Sequence, residues 1–462
     1  MSYTHTNRPE FPAIATMPVA RAFFSNAVPA IVNMVLTTSI IMVDGFFIGR
    51  YVGPEGLAAV NLTVPVLYLF LGFAVMTGVG GSTLAGHRLG AGDPDDAARI
   101  FSATMTFLAA GAGLLALGFA LFLDPVLSLL KADGALLPLA GGYLGRMLWF
   151  YAFSMGNIGL MIFFRGEGKA GWALLFSLLG NVVNVALDWL FLAVLGMGTE
   201  GAATASGLAA LVATGGALAY VLSGRSVFSF VRPRFHPGEL PSMLGNGSSE
   251  MISQLSGAIV LWLFNALLLE HLGASGVAAF AVIGYLVLLE TMVLTGFAIG
   301  LGPLVAIAKG AGDGARILAS WRIARRAGFV VGVAGWAFAS FASGAFAGLL
   351  VPDRPEIVEI VSQGARMLSL AFLMNGYTML ASALFTALGA ARKSALVSFL
   401  RSLGLLGTAL LLLPRLFGTA GIWMSVPFAE AGTLAVALPL VLRLQGRLRS
   451  GCPEGVPGES LS

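Results

Sequence analysis

Long apolar runs alternate with short polar connections along almost the whole chain. Six runs of spanning length lie near 23–48, 57–84, 97–123, 136–164, 171–196 and 201–222. Six more lie near 242–269, 275–307, 317–350, 361–388, 394–414 and 418–442. Each is about 20 residues or longer, which is what a helix needs to cross a ~30 Å hydrocarbon layer. A membrane β-barrel would instead show short segments of alternating hydrophobicity. The pattern predicts an all-α polytopic membrane protein with twelve transmembrane helices.

The longest polar connection in the middle of the chain, 223–241, divides the runs six and six. Leu89-Gly90-Ala91-Gly92-Asp93 matches Lys309-Gly310-Ala311-Gly312-Asp313, 220 positions on. Gly53 with Ala58-Ala59 matches Gly273 with Ala278-Ala279, and Gly198-Thr199-x-Gly201 matches Gly418-Thr419-x-Gly421, both at the same offset. A constant register from the first pair of runs to the last indicates an internal duplication. Six is even, so both copies enter the membrane from the same side. The expected architecture is two six-helix bundles related by a pseudo-twofold axis along the membrane normal, a transporter plan. The organisation is then an N-terminal lobe (1–222), a cytoplasmic linker (223–241), a C-terminal lobe (242–442) and a cytoplasmic tail (443–462).

Composition agrees. The chain of 462 residues is 57% hydrophobic and 10% charged, against roughly 25% charged in a soluble domain. The net charge of +4 would hint at nucleic acid in a soluble protein. Here it reads as an orientation signal, and no nucleic-acid partner is expected. Twenty of the 26 Lys and Arg fall on the tails and even-numbered connections, from Arg8 to Arg449 and including Arg401. Only Arg50, Lys131, Arg146, Arg354, Arg366 and Arg415 fall on the other side. That asymmetry puts both termini in the cytoplasm, in a bacterial or archaeal cytoplasmic (inner) membrane. Residues 1–20, with Pro9, Pro12 and Pro18, lack the compact apolar core of a cleavable signal, so the first run is expected to be an uncleaved anchor. The single cysteine, Cys452, excludes an intrachain disulfide.

Charged groups at mid-bilayer are costly, so those that occur usually face a cavity or a partner. Asp44, Asp188, Glu250, Glu290 and Glu430 fall well inside runs. Asp44 and Asp188 lie about 18 and 17 residues into runs 1 and 5, at similar depth in the outer half by a ~1.5 Å rise. Asn181, Asn184 and Asp188 share one helical face. Thr204 and Ser206 of run 6 lie at a comparable level, and Asn157 is near the middle of run 4. Hard oxygen donors suit a small cation such as Na⁺, with Asp44, Asn184 and Asp188 as its nearest ligands. Two close carboxyls can equally share a proton. The alternative is that these groups only staple helices together. Pro29, fifteen residues before Asp44, removes a helix hydrogen bond and can act as a hinge or a fixed kink.

At an offset of 220–221, Asn181, Asn184 and Asp188 fall around Ser402, Leu405 and Ala409, and Asp44 falls on Phe264. The second half is therefore expected to lack this polar set. Glu250 sits among small polar residues in LGNGSSEMISQ, as a cavity-lining helix would. Glu290 and Glu430 have no evident partner nearby in sequence, and either stay protonated or line the substrate cavity. The four His lie outside the runs or at their ends, so no His/Cys metal site is expected. GEGKAG (166–171) lacks P-loop spacing. The chain carries no catalytic constellation and no cofactor motif, so an enzyme is not expected.

VDGFFIGRYVGPEGLAAVNLTVP, LGAGD, KGAGD, RGEGKAG and NVALDWLF…GMGTEGAATAS together resemble the multidrug and toxic compound extrusion (MATE) family over about 20–442. The resemblance implies that Asp44 is the family's span-1 aspartate and Pro29 its kink proline. It implies that Asn184 and Asp188 are the span-5 pair of the DinF-like branch, with Asn157 its span-4 asparagine and Ser206 in place of its threonine. Glu250 stands where NorM-like and eukaryotic members carry a span-7 glutamate, and the span-10 acid of some NorM-like members is absent. It further implies a monomer in the lipid bilayer that exports cationic amphipathic drugs against inward Na⁺ or H⁺ by alternating access. The alternative is a flippase for lipid-linked or polyprenyl-linked glycans, which needs basic residues in its cavity; Arg401 is the nearest candidate.

Overall fold

The computed structural model describes residues 13–450; Arg8, Pro9, Pro12 and Cys452 lie outside them. The described residues are helical almost throughout, with no strand among them. After a short helix, Ala13–Thr16, come α1 (Val19–Tyr51), α2 (Pro54–Gly90), α3 (Pro94–Leu121), α4 (Leu136–Gly166), α5 (Ala170–Val194) and α6 (Gly198–Leu222). A 72-residue helix, Glu239–Gly310, follows. At ~1.5 Å per residue it would exceed 100 Å, far more than one crossing. It is broken at Gly273 (φ 65°, ψ −155°), which separates α7 (239–272) from α8 (274–310). Gly314–Phe341 and Ser343–Leu350, bent by 65°, make α9. Then come α10 (Pro355–Ala387), α11 (Ala391–Phe417) and α12 (Thr419–Arg449). Among the described residues, each of the twelve expected spans corresponds to one of these long helices.

The duplication reappears in the backbone. Gly53 and Gly273, Gly92 and Gly312, and Gly198 and Gly418 all have positive φ, a conformation that glycine adopts without a Cβ penalty. Each pair is 220 positions apart. After the second pair, Asp93 caps α3 by accepting from Asp96 N at 2.9 Å, and Asp313 caps α9 by accepting from Arg316 N at 2.8 Å. The repeated GAGD is thus the same device twice, a glycine that ends one helix and an aspartate that starts the next.

The chain forms two compact units. The first takes Val28–Met251 and the short N-terminal helix; the second takes Met17–Ala27 and everything from Ile252 onward. In the first unit, Phe70 stacks on Tyr151 with ring centroids 4.1 Å apart, beside buried Leu108 and Leu144. Two glycines set how closely α2 and α7 pack. A Cβ on Gly80 would lie 2.0 Å from the Met243 carbonyl oxygen, and one on Gly247 would lie 1.9 Å from that of Met76. In the second unit, Phe264, Ile283, Val361, Leu410 and Trp423 share one core.

The polar connection 223–238 is fastened to the first unit. Phe228 is buried against Phe101 and Phe163, with ring centroids at 5.3 and 5.1 Å. Ser102 Oγ donates to Ser229 O and accepts from Val231 N. Buried Glu167 accepts from Ser226 Oγ at 3.0 Å and Val227 N at 2.7 Å, and Lys169 Nζ lies 3.6 Å from its other oxygen. Despite these partners, burial raises the Glu167 carboxyl above the ordinary glutamate range.

Candidate functional site

Asp188 is the last residue of the α-helical part of α5. A π-helical stretch, Trp189–Val194, follows it directly. Such wide turns recur at functional sites because the extra residue re-aims the side chains around it. Asp188 is almost completely buried, at 1% exposure. Its carboxyl lies within hydrogen-bonding reach of the Asp44 carboxyl on α1. Asp44 Oδ1 and Asp188 Oδ2 are buried and make no hydrogen bond to a donor group. One turn before Asp188, buried Asn184 donates from Nδ2 to Ser206 Oγ on α6 at 3.3 Å. The first unit thus joins α1, α5 and α6 through the expected side chains.

The other expected members play lesser parts. Asn157 Oδ1 and Asn181 Nδ2 are each buried without a partner. Thr204 spends its hydroxyl proton on the Glu200 carbonyl of its own helix at 2.7 Å, so only its lone pairs remain for a ligand. Pro29 lies inside a continuous α1 and leaves the Ser25 carbonyl without its helical donor. Glu250 is half-buried on α7.

Two further polar residues of the first unit went unnoticed in the sequence. Tyr143 on α4 lies in the electrostatic field of both Asp44 and Asp188. It is fourteen residues before Asn157, close to four full turns, so helical spacing puts both on one face of α4. Asn33, eleven residues before Asp44 on the same face of α1, has a buried, unpartnered Oδ1.

The second unit lacks the first unit's polar set at the matching positions but holds a polar cluster of its own, in which Glu290 and Glu430 find partners far away in sequence. Asn375 on α10 donates to Glu290 Oε2 at 2.7 Å. Its own Oδ1 accepts from Arg401 Nη2. Arg401 Nε pairs with Glu430 Oε1 at 2.8 Å, and Thr378 donates to Glu430 Oε2. The partners come from different spans, so no local spacing reveals them. Arg401 is also not an orientation marker, because its charge is held inside the helices by Glu430. It stands 220 residues after Asn181, so the second copy does carry a polar residue in that register. Glu290 Oε1 remains buried without a hydrogen bond.

The MatE family model matches residues 29–190, the stretch that carries Asp44, Asn157, Asn184 and Asp188. The chain is 24% identical to the multidrug export protein MepA of Staphylococcus aureus, over 96% of this chain and 97% of that one. It is 28% identical to an FAD transporter of Shewanella oneidensis, over 65% and 67% of the two chains. Its fold superposes on the outward-facing structure of a multidrug resistance MATE family transporter with a TM-score of 0.87, at 22% identity, covering 96% of this chain and all of that one. Residues 29–190 thus match the MatE family, and the fold of the chain is that of MATE transporters. The relatives it matches are transporters rather than enzymes, and its many apolar helices make the chain a multi-pass membrane protein. In the first unit, the Asp44–Asp188 pair brings together two acids from different spans.

Proposed function

We propose that this protein is a secondary active exporter of cationic amphipathic compounds. Entry of a small cation at Asp44 and Asp188 drives it by alternating access. The observation that carries this reading is the carboxyl–carboxyl contact between α1 and α5. Two ionised carboxylates at that distance repel in a low-dielectric interior, whereas one shared proton turns repulsion into a hydrogen bond. The contact therefore favours H⁺ as the coupling ion. Protonation joins α1 to α5, and loss of the proton drives them apart. Asn184, Ser206 and Asn157 supply the neutral oxygens that Na⁺ would need in its place. The MepA relative supports drugs as cargo.

The glycan-flippase reading is weaker, since Arg401 is committed to Glu430 and Asn375 and offers no free cation to a phosphate. The FAD transporter relative supports a second cargo, an anionic dinucleotide, which belongs in the substrate panel. The test is efflux from proteoliposomes under an imposed H⁺ or Na⁺ gradient. Transport driven by H⁺ alone, and abolished in Asp44→Asn and Asp188→Asn, supports the reading. Uncoupled transport, or wild-type rates in either variant, would refute it.

A further inference from the structure

A cavity of about 170 Å³ opens in the second unit beside the first turns of α9 and the last turns of α12, lined by Leu318, Arg322, Arg325, Gln445 and Arg449. That volume is an order of magnitude above the ~10–15 Å³ that one water occupies by the same measure. Three guanidinium groups border it. Among the described residues no carboxylate pairs with any of the three. The two helix ends are adjacent, for a Cβ on Gly314 would lie 3.5 Å from Leu448.

The residues along each helix show what kind of anion fits. On α9, Arg322, Arg325, Phe329 and Val333 share one face. On α12, Arg449, Gln445, Leu442 and Leu438 do the same. On both faces the polar groups stand nearer the helix end, and the residues one to three turns further into the span are exposed apolar side chains: Phe329 and Val333 on α9, Leu442 and Leu438 on α12. A free phosphate would use the arginines and ignore the apolar stripes. A phospholipid would use both, with its phosphate in the guanidinium fork and its acyl chains along the leucines and phenylalanine. Basic pockets between membrane helices at this level take such headgroups, and the planar guanidinium pairs two-to-two with phosphate oxygens.

We propose that this cavity is a binding site for the headgroup of an anionic phospholipid. The test is native mass spectrometry of the full chain from micelles with equal phosphatidylglycerol and phosphatidylcholine, counting retained lipids as delipidation proceeds. Wild type retains phosphatidylglycerol preferentially. In R322Q/R325Q/R449Q that preference falls about tenfold or more, equivalent to ~1.4 kcal/mol, while R225Q/R232Q, two exposed linker arginines, leaves it unchanged. R322K/R325K/R449K, which keeps the charge, keeps part of the preference, and R449Q alone, at a helix end, serves if the triple variant does not fold. Equal retention in wild type and the glutamine variants would overturn the proposal. Displacement of the lipid by millimolar inorganic phosphate would overturn the lipid assignment, since it would show that the apolar stripes contribute nothing.

Discussion

The Arg401–Glu430 pair allows a prediction with an unusual asymmetry. The side chains are 24% and 6% exposed and 2.8 Å apart, so both charges are largely removed from water. Glu430→Leu strands a guanidinium that cannot shed its proton. Breaking a buried pair in this way costs roughly 3–5 kcal/mol. Arg401→Leu instead leaves the Glu430 carboxyl with its Thr378 hydrogen bond and costs only about 1–3 kcal/mol for the lost partner. The double variant R401L/E430L replaces the pair with apolar groups and should lie within ~1 kcal/mol of wild type. Thermal unfolding in detergent, followed by tryptophan fluorescence, reads all three. For a unit of about 200 residues, ~3 kcal/mol corresponds to a fall of roughly 6–12 °C in apparent Tm. Glu430→Leu should therefore fall furthest, Arg401→Leu less, and the double variant least. Additive losses in the double variant, or a larger loss for Arg401→Leu, would refute the pairing.

Other consequences are equally direct. Gly80→Ala and Gly247→Ala press a methyl into a backbone carbonyl across α2 and α7, so both should lower the yield of monodisperse protein. Gly113→Ala, with nothing within 4 Å of the new methyl, should not. Because burial raises the Glu167 carboxyl above its ordinary value of 4.5, the folded state holds that proton more tightly than the unfolded chain. The group then costs stability as pH rises above about 4.5 and through its folded-state value, and the cost disappears in acid. Glu167→Gln should flatten the dependence of apparent Tm on pH across that window; an unchanged profile would contradict the burial argument. Ser206→Ala removes the acceptor from Asn184 and should slow efflux several-fold, about 1 kcal/mol, whereas Ser206→Thr should retain it.

The fold was legible because its signals are local. Spanning runs follow from length and hydropathy alone, and the duplication from glycines whose backbone angles no other residue adopts without strain. Asp44 and Asp188 were legible because a carboxyl in an apolar run is costly enough to stand out unaided. The second polar cluster was not. Glu290, Asn375, Arg401 and Glu430 come from four spans, and comparing the halves position by position finds only Arg401, opposite Asn181. The other three stand at positions where the first half has no counterpart. Counting Arg401 as a surface charge concealed it, because charge counts cannot tell a paired interior arginine from a solvated one. Tyr143 was hidden for a different reason, as a single aromatic residue on an apolar helix looks like packing until its neighbours are known.

The central claim is that Asp44 and Asp188 share a proton that substrate binding displaces. Proton release by purified protein in weakly buffered detergent at neutral pH measures this directly. On adding a cationic substrate, wild type should release about one proton per chain, and Asp188→Asn, which has no carboxyl to share it, should release none. Equal release from both, or substrate binding by wild type with no release at all, would contradict the account.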